Sequence, residues 1–263
     1  MKVKRVVAIS DPHCGARTGL TPPGWQYSPS ASDPIRKKFA RVQYEMWDWF
    51  AKKMAELQPI DVLIVNGDEI DGKGEKSGGT ELLEADRNKQ CEIAAEVIRE
   101  AKAKQIVMTY GTPYHTGTSE DFTDNVAKMV KAEHVGRHDW YDINGLVFDV
   151  KHYIPRSNIP HGRHTPVSRE KLWNMIWAEA GQQPKADIFL RAHVHYYSFC
   201  GDDDKLLITM PALQAFKTKY VSSISTAKVD IGLISFDVKS KKEYTWRTHL
   251  LNPINQQAKA LIL

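Results

Sequence analysis

Short runs of β-branched residues alternate with longer apolar stripes at helical spacing through most of this chain, and the runs end at Gly, Pro, Asp or His. That alternation limits the fold more than any other feature, because strand–helix–strand units build sheets with helices laid on their faces. A strand is expected over 3–9, ending in Ser10-Asp11-Pro12-His13, and a Gly-, Pro- and Ser-rich loop over 15–34 follows. Phe39, Val42, Met46, Phe50, Met54 and Leu57 then recur at threes and fours, the signature of an amphipathic helix. Further strands are expected over 61–66, which Gly67-Asp68 terminates, and over 105–110, which Gly111-Thr112-Pro113 terminates.

Ile93, Ala94, Val97, Ile98 and Ala101 mark a second helix, and another is expected over 121–132. Residues 140–150 read as a hairpin turning at Asn144-Gly145, a dipeptide suited to tight β-turns. A helix over 168–180, a strand over 187–190 and several strands from 206 onward complete the pattern, so mixed sheets are expected. With 263 residues, 42% of them hydrophobic and 26% charged, the chain can bury a sizeable core, and one α/β domain over 1–263 is the expected organisation. Its metal-ligand core is placed at 8–200, with C-terminal strands and a tail at 201–263.

A net charge of +4, from 36 basic and 32 acidic residues, does not by itself demand a nucleic-acid partner. Cys14, Cys91 and Cys200 are an odd number and widely spaced, which argues against a disulfide framework or a zinc ribbon. Only four apolar residues separate Arg5 from Ser10, too few for a signal segment, and no later apolar run approaches the ~18 residues of a membrane span. A cytoplasmic protein with no membrane partner is expected.

The strand ends carry the chemistry. Asp11 with His13, Asp68, His115, and His193 with His195 each follow an apolar run, and loops at the carboxyl ends of parallel strands converge on one crevice. Singly, each has an ordinary structural explanation: Asp11 as a cap, Gly67-Asp68 as a turn, His152 as a strand residue. His193-Val194-His195 is stronger, because alternate residues of an extended segment point the same way. Their conjunction in this order is what points to a metal site.

Through Ser10-Asp11-Pro12-His13, Asn66-Gly67-Asp68, Gly111 to His115, His152 and Ala192-His193-Val194-His195, the sequence resembles the calcineurin-like metallophosphoesterases. The resemblance implies two packed mixed β-sheets flanked by helices, a four-layer αββα sandwich, with a dinuclear metal centre at the sheet edge. It implies that Asp11, His13, Asp68 and His195 hold one metal, that Asp68 bridges to the second, and that His152 and His193 complete the second.

Two positions depart from the family pattern. Where the family has Gly-Asn-His followed by an acid, this chain has Gly111-Thr112-Pro113-Tyr114-His115, which makes Thr112 the stand-in ligand and His115 the candidate acid. Ala192 replaces a Gly, which the backbone tolerates if φ is negative there.

Imidazole and carboxylate together favour manganese, with iron, zinc or nickel as alternatives, over Mg²⁺. Two such ions ~3.5–4 Å apart would supply a bridging hydroxide as nucleophile, and His115 would protonate the leaving oxygen. Arg156, His161, Arg163 and His164 form a basic stretch after His152 suited to a phosphate-bearing substrate, and His161 or His164 competes with His152 as ligand. Asp71 and Glu69 read as residues that orient the Asp68 loop. Tyr114, Tyr153, Tyr196 and Tyr197 are placed to stack on a base or sugar, or to pack at a sheet edge. The expected function is hydrolysis of a phosphodiester in nucleic acid or a nucleotide. The alternatives are a phosphomonoesterase or protein phosphatase of the same family, and a metal-binding scaffold whose catalysis has decayed.

Overall fold

Strand β1 (Lys4–Ile9) sends Val7 and Ile9 to one face and Val6 and Ala8 to the other, and all four are buried. A strand dry on both sides needs a layer above it and a layer below it. The computed structural model, which describes residues 2–30, 32–215 and 228–251, supplies both. β2 (Val62–Asn66), β3 (Gln105–Thr109) and β4 (His134–Gly136) extend from β1 in parallel, in the order β1-β2-β3-β4. The second sheet is built from β5 (Asp139–Ile143), β6 (Leu146–Val150), β7 (Ile188–Arg191), β8 (Ser198–Gly201) and β9 (Leu206–Thr209), in the order β5-β6-β7-β9-β8. Within it β6, β7 and β9 run parallel. The chain then returns to the first sheet, where β10 (Ile231–Ser240) pairs antiparallel with β1 and β11 (Glu243–Leu251) forms the edge.

The two sheets face each other across one apolar layer. Val6, Ala8, Ile64 and Phe236 meet Phe148, Val150, Ile188 and Ile208 there, and the Phe148 and Phe236 rings pack edge-to-face at 5.1 Å. Outside the first sheet, α1 (Pro34–Glu56) and α2 (Arg87–Glu100) lay down Val42, Met46, Phe50, Met54, Ile93 and Val97. The short α3 (Pro113–Thr116) follows β3, and α4 (Phe122–Val130) packs on α2. Outside the second sheet, α5 (Thr165–Glu179) covers a smaller cluster around Phe189, Tyr196 and Leu207.

Local chemistry sets the element ends. Asp33 accepts the Ile35 N–H at 2.8 Å and Pro34 occupies the first turn of α1, so the helix starts at the close of the expected loop. Asn144 and Gly145 both adopt positive φ, as the tight turn between β5 and β6 requires. The expected helix over 168–180 begins earlier, at Thr165 with Pro166 in its first turn. The short elements β4, β8 and α3 were not expected, and residues 252–263 of the expected tail lie outside the described residues. No helix among the described residues is long and apolar enough to cross a membrane.

Candidate metal centre

Because β1, β2 and β3 run parallel in one sheet and β6 and β7 in the other, their carboxyl ends meet along one edge of the sandwich. The turns leaving them bring three groups of candidate ligating side chains together, one of which, His13, Asp71 and His115, shares His13 with another. Asp11, His13 and His195 form the first, and Asp68, His152 and His193 the second, each with its donor atoms within 4.8 Å of one another. In the first, His195 Nε2 is 3.1 Å from Asp11 Oδ1 and 3.2 Å from His13 Nε2. In the second, His152 Nε2 is 3.0 Å and His193 Nδ1 4.0 Å from Asp68 Oδ2. Asp11 Oδ1 lies 3.9 Å from His152 Nε2 of the second group, while Asp68 Oδ2 lies 3.0 Å from that nitrogen.

Backbone strain concentrates on these residues. Among the described residues eight other than glycine have positive φ, and five of them are Asp11, His13, Asp68, His193 and His195. Left-handed backbone costs an L-residue about 1–2 kcal/mol, and such strain persists where the surroundings enforce it and collects at functional sites. Two glycines make the approach possible: a Cβ on Gly67 would collide with the His152 ring, and one on Gly111 with Asp68 Oδ1. Ala192 does not share the positive φ of His193, so its methyl group is accommodated.

Hydrogen bonds decide which imidazole nitrogens are bare. His152 donates Nδ1–H to the Asn66 carbonyl at 2.6 Å, which turns its buried Nε2 toward Asp68 Oδ2, 3.0 Å away. His13 donates Nδ1–H to Asp71 at 3.1 Å, leaving its Nε2 aimed at His195 Nε2. Lone pairs directed at one another and at carboxylates repel unless a cation or proton lies between them. The donor set therefore fits metal ions, with Asp71 and the Asn66 carbonyl as the outer partners that orient ligating histidines.

The remaining expected site residues divide. Thr112 donates both its N–H, at 2.6 Å, and its hydroxyl, at 3.1 Å, to Asp68 Oδ1, which ties the start of α3 to the second group. His115 donates Nδ1–H to the Asp71 carbonyl at 2.8 Å and packs its ring 4.5 Å from that of His13. Burial lowers the pKa of Arg156, while Arg163 covers the Tyr196 ring at 4.9 Å. His161 and His164 are exposed and belong to none of the ligating groups; His152, which is 2% exposed, occupies that place.

No family model matches the sequence, and no curated protein matches it. Solved structures do. The purple acid phosphatase PPD1 from yellow lupin (Lupinus luteus) seeds is 11% identical with a TM-score of 0.51, over 95% of this chain and 52% of that one. The chain thus spans about half of that phosphatase. It has the calcineurin-like metallophosphoesterase fold. Vps29 complexed with Zn²⁺ from Entamoeba histolytica also matches, at 10% identity and a TM-score of 0.47 over 94% of this chain and 99% of that one. So does an archaeal phosphodiesterase, at 14% identity and a TM-score of 0.43 over 93% and 99%.

In this metallophosphoesterase fold the charges at the sheet edge are strongly coupled. Burial opposes charge on His13, but its bonds to Asp11 and Asp71 prevail and push it up to about 10. Burial likewise opposes His152, and Asp68 and Asp11 push it up to about 9. Burial works against ionised Asp11 and Asp68 too, yet the surrounding imidazoles hold both well below the usual carboxylate range.

A raised histidine contributes stability that is complete below its unfolded value of about 6.5 and is lost as pH climbs through its folded value. Glu69, which burial pushes up to about 8, acts in the same direction. His115 and His195, lowered by burial, oppose this trend only near pH 6.5 and not at higher pH. Chelated protein is therefore expected to lose unfolding free energy steadily from about pH 6.5 to 10 in urea titrations. A flat or rising profile would contradict these charge assignments.

Sequence motifs did not reveal Tyr110, Arg137 and Lys151, which line a cavity of about 200 Å³ together with Gly111, Thr112 and His152. They come from the ends of separate strands and share no spacing pattern.

Proposed function

We propose that the chain is a metal-dependent phosphodiesterase whose natural substrate is a nucleotide or nucleic acid. The observation that carries the reading is the convergence of buried imidazole nitrogens and carboxylates from separate strand ends, most of them on left-handed backbone. Asp11, His13 and His195 would hold one divalent transition-metal ion, manganese first, and Asp68, His152 and His193 the other. When bound, such a pair supplies Lewis acidity, neutralises phosphate charge and lowers the pKa of water.

The chain's own residues do the rest. Asp71 and the Asn66 carbonyl hold His13 and His152 in the tautomers that present Nε2. Thr112 keeps Asp68 turned inward. His115, its Nδ1 proton held by the Asp71 carbonyl, presents Nε2 toward the site and would hand a proton to a departing oxygen from there only as the imidazolium, the form that burial disfavours. Arg156, which follows His152 in the chain, would add positive charge for a phosphate-bearing substrate.

Chelated protein given Mn²⁺ is expected to recover turnover of bis(p-nitrophenyl) phosphate well above that of p-nitrophenyl phosphate. Preference for the monoester would replace the diesterase with a phosphatase. Turnover of neither would leave a metal-binding scaffold.

A further inference from the structure

Beside His152 the surface opens into two cavities that share one residue. The first, about 200 Å³, is lined by Tyr110, Arg137, Lys151 and Tyr153 along with Thr112 and His152 of the candidate centre. The second, about 380 Å³, also has Lys151 in its wall and continues past His138 to Trp173 and Trp177 on α5. Arg137 and His138 are adjacent in the chain and each lines one cavity, so the two cavities lie side by side, with Lys151 between them, next to the candidate centre.

The charge along the two cavities is uneven. Arg137 is exposed, sits 5.0 Å from the Tyr110 ring centroid and has no carboxylate within ion-pair distance among the described residues. Lys151 is 3.7 Å from Glu170, but that carboxylate is already engaged by Arg191 at 3.0 Å. Asp149 is likewise taken up by Arg191 and His138. The uncompensated charge next to the centre is thus positive, while farther out the lining is neutral.

Its rings are unusually open. Tyr153 is 51% exposed with one face against His193 at 4.9 Å, and Trp173 and Trp177 are 55% and 43% exposed on a helix whose outward side should be polar. Cations close to the reacting centre followed by sequence-tolerant stacking surfaces are the chemistry of single-stranded nucleic acid recognition.

We infer that the two cavities together form a groove that seats a single-stranded polynucleotide, with the phosphate next to the scissile one on Arg137 and Lys151 and successive bases on Tyr153, Trp173 and Trp177. The inference rests on the phosphodiesterase reading of the centre and names its substrate class. A duplex is too wide and rigid to lay its bases against these rings, and a peptide would leave the paired cations without partners.

The test is fluorescence anisotropy with a labelled oligothymidylate of about eight nucleotides and the full chain held in chelator, so that binding is read apart from cleavage. Arg137→Ala and Lys151→Ala are each expected to weaken binding and to reduce the salt dependence by about 0.7 in log–log slope for each phosphate that is no longer neutralised. Arg137→Lys should restore most of that slope. Tyr153→Ala and Trp173→Ala should each weaken binding about 10-fold with the slope unchanged.

Oligonucleotide binding with these effects supports the groove even if bis(p-nitrophenyl) phosphate is not turned over, in which case only the catalytic reading fails. Turnover of that diester without oligonucleotide binding overturns the groove. So does binding indifferent to the substitutions, equal affinity for a duplex, or equal affinity for a phosphoserine peptide of matched charge.

Discussion

Asp68→Asn protein is expected to keep its fold and to lose diester hydrolysis by more than about 100-fold. Removing an outer partner of a metal-ligating histidine typically lowers activity or metal affinity about 10- to 100-fold, and Asp68 is placed one step closer. Its carboxylate lies 3.0 Å from His152 Nε2 and takes both hydrogen bonds from Thr112. The amide keeps the size and one acceptor oxygen but gives up the negative charge on which the proposed cation site in the second group depends. Circular dichroism should match the parent, and bound metal per chain should fall in parallel with turnover. Full activity in this variant would exclude Asp68 from the centre.

Arg191→Met is expected to lower unfolding free energy by about 3–5 kcal/mol, the usual effect of breaking a buried ion pair from one side. The guanidinium is 1% exposed at the end of β7 and contacts Asp149 at 2.7 Å and Glu170 at 3.0 Å. It also donates to the Asp149 and Leu190 carbonyls. With methionine there, Asp149 stays buried with only the half-exposed His138 beside it. For a domain stable by about 5–15 kcal/mol this is a large share. Asp149→Asn added to Arg191→Met should recover part of the loss, because the stranded charge is gone. Arg191 directly precedes Ala192-His193, so the same ion pair anchors the strand end from which the His-x-His turn departs. Urea unfolding of the single and double variants measures both effects, and a loss below about 1 kcal/mol would mean that the pair is not buried as described.

The layers of the fold were legible because the strands that carry them are apolar and short and the helices between them amphipathic. Val62–Asn66, Gln105–Thr109 and the hairpin at Asn144-Gly145 lie within a residue or two of their expected places. The edge strands His134–Gly136 and Ser198–Gly201 were not, since three or four residues with little apolar content carry no period. The insertion of Ile231–Ser240 between β11 and β1 joins segments from opposite ends of the chain, and no local pattern encodes such a pairing.

The same division holds at the candidate centre. Spacing after strands picked out Asp11, His13, Asp68, His193 and His195, and the fold brings them to one edge. Residues that act through an unmarked backbone partner were harder to see. Asp71 reaches His13 across the Gly67–Gly72 turn, and the Asn66 carbonyl reaches His152 from another sheet. The positive φ at the ligands was illegible for a different reason: Asp and His have no local preference that demands it, so tertiary packing alone enforces it. His161 and His164 attracted attention by composition, but the 3-10 turn at Pro160–Gly162 leaves them in solvent.

Anomalous diffraction from crystals grown with Mn²⁺ bears most directly on the idea that these side chains chelate a pair of cations. Two peaks are expected, one in contact with Asp11, His13 and His195 and the other with Asp68, His152 and His193. A single ion at the Asp71 carboxylate, ions only on the outer surface, or no ion at all would contradict it.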